Sequence, residues 1–332
     1  MTDMSTLRQF PTTIVICTCF AGCSGLTQIQ DTVTKFDQGA HTLSTTQIAF
    51  AKSAQTADCN FQFYENVWNY SKAADPAPPI PLALTGPCVP EVMTNDNIAV
   101  RQNLLNAITL YADQIQAVAS ADSDKTLSAK SQDAAGKLNS LAKSHGLIET
   151  NGMPVAAAVE AAVIGITNMI LSAKQLSDIK SSAKAQSANL RTIADHLQLE
   201  NMQIAKNMAA KAGSVANMFE TTIALVKQDG ILISKGQSAP ARANNPQVYL
   251  LAVSARQMLL NTPPLGVGMS ATGSLVQQDS VTVASQLNSA LESLVSANDA
   301  ISNASTGGLI AEVADLVARA QAAQAMQAAL AK

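Results

Sequence analysis

The side chains able to do acid–base, nucleophilic or metal chemistry are few. There are three histidines, His41, His145 and His196, and five cysteines, Cys17, Cys19, Cys23, Cys59 and Cys88. A metal site written locally needs such residues on one face of one element, as in HExxH or CxxC spacing. No histidine stands in either pattern. Asp195 and His196 are sequence neighbours, and neighbours on a helix face different sides. All three histidines read as exposed or capped. There is no GxSxG nucleophile elbow, and Cys59 and Cys88 lack the CxxC spacing of redox catalysis. Glu149, Glu160, Glu200, Asp229, Glu292 and Glu312 are scattered and could pair only through tertiary structure. The local sequence therefore predicts no enzyme, no cofactor and no metal. A fold gathering His196 with two or more carboxylates would reverse that expectation.

The remaining chemistry is that of Cys23. A short apolar stretch, Ile14-Val15-Ile16-Cys17 with Cys19, Phe20 and Ala21, follows Arg8 and runs into Phe20-Ala21-Gly22-Cys23. A basic residue, an apolar run and a small-residue ending are the parts of an export signal. The stretch resembles the signal peptide and lipobox of bacterial lipoproteins. Phe20 stands where that family most often has Leu; Ala21, Gly22 and Cys23 fit. The resemblance implies removal of residues 1–22, lipidation (palmitate-type acylation) of Cys23 and a membrane tether. By the same analogy, Ser24 after the cysteine, rather than Asp, implies sorting to the outer membrane, facing the periplasm. Export would leave Cys59 and Cys88 as an even pair in an oxidising compartment. They form either a disulfide or two separate buried thiols; turn residues between them favour the bridge.

Composition narrows the architecture that must position these residues. The 332 residues are 47% apolar but only 4% aromatic, so many small side chains must pack between close helices. Charged residues are 14%, the net charge is −3, and no Lys/Arg run occurs. Nucleic acid is excluded as a partner on that ground. The strongest pattern runs from Leu26 to Trp68: Leu26, Ile29, Val33, Phe36, Ala40, Leu43, Gln47, Phe50, Ala54, Ala57, Phe61, Tyr64 and Trp68 keep a 3-4 spacing. That predicts one long helix with a coiled-coil-like seam. Gln47 is the strongly polar member of the seam. It reads either as a register-fixing residue or as one at a wet position.

Residues 71–97, rich in proline, predict a long loop that is either an exposed ligand or partner loop or, if Cys88 bridges to Cys59, one that folds back along the end of the first helix. There Ile80, Leu82, Leu84 and Val89 would cover Phe61, Tyr64 and Trp68. A second helix should start near Asn95 or Asp96 and run to about His145-Gly146, antiparallel to the first. Residues 154–171 are apolar, but Glu160 and Asn168 argue for a buried helix rather than a span. Helix should continue to Gly230 or Gly236, with a break around Lys180-Ser181-Ser182. Then follow a linker at 236–246, a helix from Pro246, a loop at 262–273, a helix from Leu275, a turn at Gly307-Gly308 and a last helix over Leu309–Leu330.

The sequence thus predicts an all-α, elongated, antiparallel helical bundle. Residues 1–22 form the signal, and 23–332 form one domain. The functional expectation is a lipid-anchored protein that binds or scaffolds a protein partner in the cell envelope. The alternative is an α-helical pore-forming protein that inserts residues 154–171. It resembles the helical haemolysin-type toxins in outline only.

Overall fold

The computed structural model describes residues 17–71, 88–91, 93–120, 176–235, 268–269, 275–276, 278–303 and 306–330. The segments 1–16, 72–87, 121–175, including the apolar run 154–171, and 236–267, including the linker 236–246 and the helix expected from Pro246, lie outside the described residues. The described chain is all-α, as expected. Five helices carry it: α1 (Cys17–Ser71), α2 (Asn95–Ser120), α3 (Leu176–Ser234), α4 (Gln278–Asn303) and α5 (Thr306–Leu330). Besides residues 88–91, 93–94 and 235, the described residues depart from helix in a two-residue antiparallel pair, Gly268–Met269 with Leu275–Val276, whose first strand lies in the loop expected at 262–273. Its second strand occupies the place where the next helix was expected to begin, so α4 starts at Gln278 instead.

α1 is 55 residues long, about 80 Å at 1.5 Å per residue. Its predicted seam is the buried stripe: Val33, Phe36, Ala40, Leu43, Gln47, Phe50, Ala54 and Ala57 are all buried. Burial is wider than a two-helix seam requires, because Thr32, Asp37, Ser44, Thr46, Ala51 and Asp58 are buried as well. The reason is that α1 packs against all four other helices. Phe36 meets Tyr111 of α2 edge-on, ring centroids 6.5 Å apart, an arrangement favoured by the ring quadrupoles.

Helix directions follow from the cross-links. Gln30 donates to the Ala119 carbonyl (2.8 Å), and Gln55 donates to Asn95 (2.9 Å), so α2 runs antiparallel to α1. Asn298 donates to the Ala183 carbonyl (3.0 Å), and Ser280 donates to the Ala205 carbonyl (3.3 Å), so α4 runs antiparallel to α3. α5 lies parallel to α1. Gly39 faces Leu316, and Gln327 donates to Ser53 (2.8 Å). At Gly39 the two helices approach so closely that an added Cβ would stand 2.8 Å from Leu316 Cγ. The glycine therefore serves close packing, not flexibility.

Three boundaries differ from expectation. α2 is capped one residue earlier than expected: Thr94 Oγ1 accepts from the Asn97 amide (3.1 Å), and its carbonyl accepts from the Ile98 amide (3.0 Å). A threonine oxygen satisfying an orphan amide is the usual N-cap chemistry. α3 runs through Lys180-Ser181-Ser182 without the expected break. Ala183, Leu190, Ile193 and Leu197 keep one apolar face there, and burying it outweighs the weak propensity of serine. Gly307 and Gly308 sit in the first turn of α5 rather than in a turn of their own. Leu309, Val313, Leu316 and Ala320 bury the start of that helix.

Candidate functional site

Three groups of functional residues need placing: the anchor cysteine, the cysteine pair, and whatever titratable cluster the fold creates. Cys23 lies in the backbone of α1, which begins at Cys17 and continues unbroken into the core at Val33. No linker separates the lipobox-like residues from the bundle's first helix. Among the described residues, no helix is long and apolar enough to cross a membrane.

Cys59 and Cys88 are joined in a disulfide with their Cα atoms 5.4 Å apart. The bond pins the return segment 88–95 to the C-terminal third of α1, and side chains of α1 continue the attachment. Gln62 donates to the Val89 carbonyl (2.7 Å), and Asp58 accepts from the Glu91 amide (2.5 Å). Asp58 also pairs with Lys211 of α3, whose ammonium sits 5.4 Å over the Phe61 ring. Burial holds the Lys211 ammonium below its ordinary value. Residues 88–91 lie along α1, and of the apolar residues expected to cover it only Val89 is among the described residues. Val89 is 73% exposed and contributes its carbonyl, while Met93 is the buried side chain. Ile80, Leu82 and Leu84 lie outside the described residues.

A polar layer crosses the core. Arg101 of α2 is completely buried, and it donates to Gln47 of α1 and to Glu200 and Asn201 of α3. Asn201 in turn donates to Asn288 of α4 (2.9 Å), and Gln198 donates to Glu292 (2.8 Å). Burial pulls the guanidinium downward from its ordinary value, and the Glu200 charge opposes that. Gln47 is fully buried; its Oε1 accepts from Arg101, while its Nε2 has no hydrogen-bond partner among the described residues. Glu200 and Glu292, which looked isolated in sequence, are absorbed here as hydrogen-bond acceptors. Tyr111 adds a second buried polar contact, donating to Asn298 of α4.

The titratable cluster is elsewhere. Asp37 and His41, one turn apart on α1, meet Asp113 of α2. His41 Nε2 is 2.9 Å from Asp113 Oδ1 and 3.6 Å from Asp37 Oδ1. Asp37 is only 9% exposed, and its Oδ1 has no hydrogen-bond partner among the described residues. Burial, and then the Asp113 charge, raise the Asp37 carboxyl to about 6, against a smaller lowering by His41. His41 is half exposed, as expected, yet it is this histidine and not His196 that the fold places between two carboxylates. The signal available in sequence was Asp37-x3-His41, which puts both residues on one helix face. Asp113, 72 residues beyond His41, carried none. His145 lies outside the described residues, and His196 is partly buried on α3.

Comparison with known proteins adds no relative: no family model matches the chain, nor does any curated protein or solved structure.

Proposed function

We propose that the chain is an exported, lipid-anchored helical bundle with a binding or scaffolding role in the bacterial cell envelope. Cys23 carries the lipid, and residues 1–22 are its signal peptide. The observation that carries the reading is Phe20-Ala21-Gly22-Cys23 directly after a short apolar stretch. Two features support it. The Cys59–Cys88 bond suits an oxidising compartment. The unbroken backbone of α1 from Cys23 into the core makes the tether short, which holds the bundle against the membrane surface. One acyl chain anchors only marginally, whereas two or three hold firmly, as the lipoprotein resemblance implies. Ser24 supports the outer membrane, facing the periplasm, as the destination. The bundle then presents its long helices to a protein partner in the envelope.

The test is intact mass of the protein extracted from its native membrane, beside a Cys23→Ala variant. Loss of residues 1–22 together with the mass of two or three acyl chains is the expected result, and the variant should carry no lipid. A chain without lipid on Cys23 would overturn the proposal.

A further inference from the structure

We propose that Asp37, His41 and Asp113 form a binding site for a zinc-type divalent cation that clamps α1 to α2. The inference does not rest on the lipid anchor. Its first support is the donor set: one imidazole nitrogen and two carboxylate oxygens, all within 4.8 Å of one another. Ligands bound at about 2.0–2.2 Å to one ion stand roughly 3–4 Å apart. The separations of 2.9 Å and 3.6 Å about His41 Nε2 are of that size.

The second support is independent of the cluster's composition. Asp37 Oδ1 is buried, accepts no hydrogen bond among the described residues, and points toward His41 Nε2. An orphaned buried carboxylate oxygen is costly unless something cationic reaches it. A divalent ion there would balance the two carboxylates, whose oxygens lie with His41 Nε2 within 4.8 Å of one another.

The donors also select the ion. Calcium takes six to eight oxygens, and magnesium prefers an oxygen shell with several waters. A nitrogen with two carboxylates suits zinc and its first-row neighbours. Three protein ligands leave at least one coordination position, and the half-exposed His41 and Asp113 place it toward solvent. A water, or a side chain of a docked partner, completes the shell there.

The experiment is calorimetric titration of zinc chloride into the full chain after chelator treatment, with cobalt absorption spectra as a second readout. Wild type should bind one zinc at this site, and His41→Ala and Asp113→Asn should each weaken that binding at least about tenfold. His196→Ala should leave it unchanged. Both ligand substitutions fall on half-exposed positions, and far-UV circular dichroism confirms that each variant is folded. Binding by the thiols of Cys17, Cys19 or Cys23 would be recognised by a cobalt–thiolate charge-transfer band. Cobalt d–d absorption lost in His41→Ala supports the site. Absence of zinc binding in wild type, affinity unchanged in His41→Ala, or calcium binding as tight as zinc would overturn the proposal.

Discussion

Arg101 Nη2 donates to Gln47 Oε1 in the centre of the bundle, with neither residue more than 1% exposed. One guanidinium thereby holds α1, α2 and α3 at a common level, and Asn201 extends the contact to α4. Planar, multiply bonded recognition of this kind is what arginine does and lysine does not.

Replacing Arg101 with Met should destabilise the protein by about 3–5 kcal/mol, since the buried Gln47 and Asn201 and the partly exposed Glu200 lose their donor. The double variant Arg101→Met with Gln47→Leu should recover part of that loss, giving a coupling energy of about 1 kcal/mol or more. Urea unfolding of the four proteins in the cycle measures it. Additive losses would mean that the two side chains do not act as a pair.

Gly39→Ala should destabilise, although alanine is the better helix former by about 1 kcal/mol. The new Cβ would stand 2.8 Å from Leu316 Cγ, and Leu316 is wholly buried. Overpacking of this kind costs about 1–3 kcal/mol. Trimming Leu316 to Ala in the same chain should make the Gly39→Ala step neutral or favourable. Thermal denaturation of the pair distinguishes a steric cause from a backbone one.

Reduction of Cys59–Cys88, or its replacement by two serines, should lower stability by roughly 3–4 kcal/mol, the chain-entropy value for a loop of this length. Helix content should change little, because Asp58, Gln62 and Gln55 still bond the segment 89–95. Melting temperature with and without reductant reads the first effect, and circular dichroism the second. Under denaturing, non-reducing conditions Cys59 and Cys88 should resist alkylation.

Ser293 of α4 donates to Asp315 of α5 (2.5 Å), and Arg319 donates to the same oxygen (2.7 Å). These bonds hold the Asp315 carboxyl below its ordinary value. A depressed folded-state value means that the stabilisation is fully present above the unfolded carboxylate pKa. It is lost as pH falls through the folded one. The side chain is 44% exposed, so the effect should be only a few tenths of a kcal/mol. Wild type should melt slightly above Asp315→Asn at pH 6, and the gap should close as pH falls through the depressed folded-state value. A gap that widens on acidification would contradict the assignment.

The long helices were legible because period and burial coincide. From Val33 to Ala57 the seam residues keep their spacing, and each is buried. Leu309–Leu330 was found for the same reason, its small residues Ala320 and Ala323 being buried beside Val313 and Leu316. What failed was punctuation. Lys180-Ser181-Ser182 and Gly307-Gly308 looked like breaks, and packing overrode both. The cation cluster was half legible. Asp37 and His41 share a helix face in any sequence reading, but their spacing is neither HExxH nor CxxC. Arg101 was invisible as a core residue, because its burial depends on acceptors 54, 99 and 100 residues away. Hydrophobic periodicity reports faces of single helices; partners between helices are set by register, which periodicity does not encode.

Since α1 touches all four other helices along its length, it is loaded as a shaft rather than as a zipper. Tension applied along its axis from Cys23 runs parallel to the packed surfaces and loads the contact rows together. Peeling would break those rows one after another at far lower force. A pull on α1 from Cys23 is therefore shared among the four helices it packs against.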